Sequence, residues 1–335
     1  MWHSFRVRAA AIVALLALLL PTGCADAPVP AVPEAPAVSA RGPGDAAPSA
    51  TAALDRSATP PFFRVDGGSG ATLFLLGTIH IGPTAGWQLP PPVEAALAKA
   101  DRVVLEVDLR LATEEAVGTL VAEIALLGPG RQVTDVIAPE TAKLLEAEDA
   151  RLTRLGVPPG MRGMMKPWFM ATVLGESIYG ELGLSSQSAV EYQVLAALGE
   201  RPLIGLETFE QQLRMLDGLE PALQDLMLRE TLMQLDEARD LADQLVSAWQ
   251  RGDEARLAAL AREGIDELPE LDRFYDLVLG DRNRRWVRQL RPLLEGREHA
   301  GEDVLVAVGA LHLVGEDSLV ELLRAAGYRV KKVKP

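Results

Sequence analysis

The sequence predicts an α/β fold: a central sheet, mostly parallel or mixed, holding two related strand-GxxH-helix-strand units and a large helical insertion. Two stretches carry this reading. Thr72 to His80 is TLFLLGTIH and Val304 to His312 is VLVAVGALH, each an apolar run, a glycine, two residues and a histidine. Each is followed by an amphipathic helix and another strand, and short apolar strands without strict alternation belong in a sheet covered on both faces.

The elements follow in order. Residues 1–23 read as a signal peptide: Arg6 and Arg8 precede an apolar run from Ala9 to Leu20 that is too short to span a membrane. Pro21-Thr22-Gly23-Cys24 resembles a lipobox, although Pro21 stands where an aliphatic residue is usual. Lipidation of Cys24 would anchor the chain to a membrane facing the periplasm. Cleavage after Ala25-Asp26-Ala27 is the alternative, but it would leave Pro28 after the cut. Residues 24–61 are rich in Ala and Pro with few large apolar side chains, which predicts a disordered tether.

Folded sequence begins at Phe62. Phe62 to Val65 and Thr72 to Leu76 flank a glycine-rich turn and predict a hairpin. Pro90 to Pro92 opens a helix, and Arg102 to Val107 (RVVLEV) is the next strand. The helical insertion runs from about 109 to 295. Within it, Leu203 to Leu206 is a strand ending in Glu207, Ser188-x-x-Glu191 reads as a capping box, and Thr208-x-x-Gln211 as another. After the second GxxH come a helix from Ser318 to Ala326 and a strand from Tyr328 to Val333.

Composition narrows the function. A net charge of −14 and no basic stripe with interleaved aromatics argue against nucleic acid as a partner. A single cysteine rules out an internal disulfide. Of four histidines, His3 lies in the signal segment and His299 in a polar run that reads as a solvated loop. His80 and His312 remain, each just past the carboxyl end of a strand, where α/β sheets bind ligands. Gly77 and Gly309 are expected to take backbone angles closed to other residues, or to allow close approach.

Glu106 interrupts an apolar strand, so its carboxylate needs a metal, a cation or strong donors. Asp108 is the alternative carboxylate, and Glu207 also ends a strand. Two imidazoles and a carboxylate form a shell suited to Zn²⁺, Mn²⁺ or Co²⁺, with room for water. Such an ion could activate that water for hydrolysis. Arg282, in the cluster Asp281 to Trp286, could orient a carboxylate or clamp an anion.

The ordered set LLGTIH, VVLEVD, KPW (Lys166 to Trp168), LIGLETFEQQ, DRNRRW and VAVGALHLVGEDSLVELLRAAGY resembles the TraB/GumN family, which includes the Tiki metalloproteases. The resemblance covers the chain from about Phe62 onward. It implies a metal-dependent hydrolase, most simply a peptidase acting on peptides or proteins. His80, Glu106 and His312 would hold the metal, Arg282 and Asn283 would be the polar pair of the RN element, and Glu207 a reserve base. Many members have a glycine where this chain has Ala189, so Glu191 is assigned to helix capping. The rival expectation is an envelope protein that binds haem or a metal without turnover; a third is a scaffold that binds no metal. Mass spectrometry of the mature N-terminus is expected to find a lipid-modified Cys24, and an unmodified terminus beyond it excludes the anchor.

Overall fold

The computed structural model describes residues 57–67, 70–265, 268–297 and 300–334. Cys24, the signal segment, most of the tether and His299 lie outside them.

Six strands form the main sheet: β1 (Phe62–Asp66), β2 (Thr72–Thr78), β4 (Arg102–Val107), β6 (Leu203–Glu207), β7 (Asp303–Gly309) and β8 (Arg329–Lys332). Their order is β6-β4-β7-β2-β1-β8. β2, β7, β4 and β6 run parallel, whereas β1 pairs antiparallel with both β2 and β8, so the sheet is mixed. Two short strands, β3 (Gly82–Pro83) and β5 (Leu184–Ser185), make a separate ribbon. The stretch expected as one helical insertion is divided by β6, which returns to the sheet at its edge.

Alternation along the strands sorts side chains between two cores. Val104, Val304, Val306 and Val308 pack with Trp286, Leu290 and Leu294 of the helix Asp281–Leu294 and with the helix Leu319–Ala325. Val103, Leu105, Val107, Leu305 and Ala307 face the opposite core, built from the helix Pro91–Lys99 and the helices between β4 and β7. Glu106 follows Val104 by two residues. Its side chain is therefore aimed at the helix that carries Arg282.

Register places the two GxxH segments side by side, with Gly77 opposite Val308 and Thr78 opposite Gly309. Neither glycine has a positive φ; Gly309 sits at −48°. The expected special backbone angle is absent at both, and close packing explains Gly77 instead. A Cβ there would stand 3.0 Å from Ala310 Cα and 3.1 Å from Pro61 Cβ. The Gly77 N–H donates to Pro61 and its carbonyl accepts from the Trp249 indole, so the strand has little room to shift. Gly77→Ala is expected to lower stability by about 1–3 kcal/mol through overpacking, read from urea unfolding.

Candidate functional site

The site is assembled where β2, β4 and β7 end. Beyond β2, the N–H of Val190 donates to the Ile79 carbonyl at 3.2 Å and holds the first GxxH segment against the helix Val190–Ala196. That contact brings Glu191 to His80, with Nδ1 at 2.7 Å from Oε1, and the Thr78 hydroxyl donates to the same oxygen. The expected capping box at Ser188 is not formed. The helix starts one residue later, at Val190, with no side-chain cap, and the Glu191 carboxylate is spent on the histidine.

Beyond β7, one 3-10 turn (Ala310–Leu313) buries His312 completely against the Trp286 ring, with centroids 4.4 Å apart. Nδ1 lies 2.7 Å from Asn283 Oδ1, and the Asn283 amide nitrogen donates to the Asp317 carbonyl at 2.8 Å. With the amide so oriented, His312 must donate from Nδ1, and its Nε2 lone pair faces the Arg282 Nη1 donor at 3.2 Å.

Glu106 sits between the histidines. Its Oε1 accepts from the Gly309 N–H at 2.7 Å and stands 3.6 Å from His80 Nε2 and 3.7 Å from His312 Nε2. Its Oε2 accepts from Arg282 Nη2 at 2.6 Å and from Gln212 Nε2 at 3.4 Å. Arg282 is wholly buried, stacked 4.6 Å over the Trp286 ring. It also donates from Nε to Glu207 at 2.9 Å and from Nη1 to the Val278 carbonyl at 3.1 Å, with His312 Nε2 3.2 Å from Nη1. A π-helical turn, Asp276–Gly280, precedes this helix and supplies the Val278 carbonyl; such turns recur at functional sites.

The TraB/PrgY/gumN family matches residues 61–332 of the chain. The chain belongs to that family. It is 30% identical over 254 residues to the uncharacterized protein YbaP of Escherichia coli, across 75% of this chain and 87% of the relative. YbaP of Shigella flexneri matches to the same extent. No solved structure matches.

In this family member the structure brings His80, Glu106, His312, Arg282 and Asn283 into one network. Glu207 touches it through Arg282, and its other oxygen takes Arg285 at 3.0 Å. Asp108 stands apart: it caps a short turn and pairs with Arg110. Sequence reasoning missed Glu191 as a partner of His80, and Gln212 and Trp286 as neighbours of Glu106 and His312. The signal for Glu191 was an acid flanked by Val190 and Tyr192 at a helix start, where a capping role is equally consistent with the pattern. Among the described residues no group of three His, Cys, Asp or Glu side chains already stands at metal-binding spacing. His80 Nε2 is nevertheless buried without a hydrogen-bond partner.

Electrostatics divides the two histidines. Burial opposes charge on His80, but Glu191 and then Glu106 outweigh it and raise its pKa to about 10. Burial lowers His312 to about 3, helped by Arg282 and His80 against the pull of Glu106. Burial alone would raise Glu106, yet Arg282, His312 and His80 hold it well below the usual carboxylate range.

These shifts set the pH dependence of the metal-free fold. Between pH 6.5 and about 3 the unfolded chain takes up a proton that buried His312 refuses, so stability falls as pH falls. From pH 6.5 to about 10 folded His80 keeps a proton that the unfolded chain has lost, so stability falls as pH rises. Unfolding midpoints of chelated protein are expected to peak near neutrality. His312→Gln should flatten the limb between neutrality and about pH 5, above the ordinary carboxylate range.

Proposed function

We propose that the chain is a metal-dependent hydrolase of the cell envelope that cleaves peptide bonds. The observation behind this reading is the convergence of His80 Nε2 and His312 Nε2 on one carboxylate oxygen, Glu106 Oε1, at 3.6 and 3.7 Å. Across a tetrahedral Zn²⁺ with bonds of about 2.05 Å, ligand atoms stand roughly 3.4 Å apart. The donors fit in kind, and each imidazole Nε2 stands within a few tenths of an ångström of that spacing from Glu106 Oε1, while His312 Nε2 would have to part from Arg282 Nη1 to take the ion. The unpartnered His80 Nε2 is the atom such an ion would satisfy.

His80, His312 and Glu106 would hold the ion, with Mn²⁺, Co²⁺ and Zn²⁺ all acceptable to this donor set. When bound, it would supply Lewis acidity and lower the pKa of a coordinated water. The chain's own residues do the rest. Glu191 and Asn283 fix the rings through Nδ1, as second partners of metal-binding histidines do. Arg282 fixes Glu106 and offsets its charge. Glu207, held by two arginines, acts by keeping Arg282 in place and not as a free base. His80 must release its proton before Nε2 can bind a cation, so affinity should rise with pH.

Purified protein is expected to cleave a fluorogenic peptide library only with Mn²⁺, Co²⁺ or Zn²⁺. His80→Ala and His312→Ala should each abolish cleavage while circular dichroism keeps its folded form. Glu191→Gln should weaken metal affinity by about 10–100-fold. Cleavage that persists in both histidine variants, or in exhaustive chelator, removes the reading. Stoichiometric metal or a haem absorption band without turnover would make the chain a binding protein.

A further inference from the structure

β6 is an edge strand left open. Its one ladder partner among the described residues is β4, and the other edge of the six-stranded sheet, β8, lies four strands away from β4. Edge strands usually carry a lysine, a proline or a bulge, or are covered by another element. β6 reads LIGLE, with no lysine and no proline, and Ile204 is 37% exposed. Leu111, in the short turn Leu109–Leu111 just after β4, is 72% exposed. These are two of the four large apolar side chains that are exposed, not merely half-buried, among the described residues.

Beside β6 runs a groove of about 790 Å³. Leu203, Gly205 and Glu207, alternate residues on one face of β6, form one side, and Leu111, Leu120 and Phe209 form an apolar floor and wall. Its rim is acidic. Arg110 answers Asp108, and Arg214 is shared by Glu123 and Glu210, while Glu115 adds further negative charge.

We propose that an extended peptide bearing lysine or arginine adds to β6 as a seventh strand, its alternate side chains lying over this groove. The proposal deepens the hydrolase reading and rests on it, because the strand names how a substrate reaches the site. β6 ends at Glu207, which holds Arg282, and Arg282 holds Glu106. Neighbouring strands lie about 4.8 Å apart, so an added strand would run roughly 10 Å to the side of β4. Three or four extended residues, at about 3.3 Å each, span that distance from the end of β6 to Glu106. In strand addition affinity comes from the main chain, with pockets selecting alternate residues, so the polar side chains of this groove would act on which residues are taken.

The test uses the full chain in chelator, where nothing is cleaved, with decapeptides of Val and Thr containing one Lys. Amide hydrogen exchange across Leu203–Glu207 is expected to slow by at least about tenfold on peptide addition, as it does for amides newly held in a ladder. The same decapeptides N-methylated at alternate residues should give no protection, and added salt should weaken the protection. Equal protection by the methylated peptides, protection confined to other segments, or none at all overturns the proposal. Protection without peptide that grows with protein concentration also overturns it, since a second copy would then occupy the edge. Metal-loaded protein that cleaves these peptides without protecting β6 removes the strand and leaves the hydrolase standing. Protection of β6 with no cleavage under any metal does the reverse.

Discussion

The structure depends on one buried guanidinium. Arg282 has no solvent exposure, yet it ties Glu106 to Glu207 and stands against His312. Two carboxylates could not share this interior without a cation between them, because an uncompensated buried charge costs several kcal/mol. A guanidinium suits the task better than an ammonium: its planar fork reaches both acids at once while its face lies on Trp286. The same arginine lets Glu106 remain ionised beside two imidazoles. Without that, burial would push the Glu106 carboxyl toward its neutral form.

The two GxxH units share a pattern but not an environment. His80 is 13% exposed in its side chain and rests on a carboxylate; His312 is sealed and rests on an amide. One is biased toward carrying a proton and the other toward refusing it. A repeated motif has thus produced two unlike donors, one charged and one neutral in the metal-free chain. The difference comes from the carboxylates of Glu191 and Glu106 around His80 and from the burial of His312 beside Arg282.

Much of this was legible in the sequence. The two GxxH histidines end apolar strands and the acid inside RVVLEV breaks one, and a buried polar group requires a partner; Arg282 stands out in a dense polar cluster, and Asn283 comes only with the family resemblance. The sheet could be inferred as mixed because the first hairpin forces one antiparallel pair. Glu191 was not legible as a partner of His80, since Ser188-x-x-Glu191 satisfies a capping rule and only tertiary contact chooses between cap and histidine. Nor could periodicity tell that Gly77 is demanded by Ala310 and Pro61, more than 200 residues apart in the chain, when a turn would ask for the same residue. The openness of β6 also lies beyond pattern, because an apolar pentapeptide looks alike at a sheet centre and at its rim.

The pairing of β2 with β7 has a consequence in time. Strands near opposite ends of the folded chain are neighbours, and β1 is clasped between β2 and β8. Contacts so distant in sequence form late, after the entropy of closing a very long loop has been met. His80 and Glu106 therefore wait for the final segment of the polypeptide before they have a companion. A ribosome-bound chain made only as far as β6 holds the first histidine and no centre, and β7 with the turn that carries His312 acts as the key that completes it.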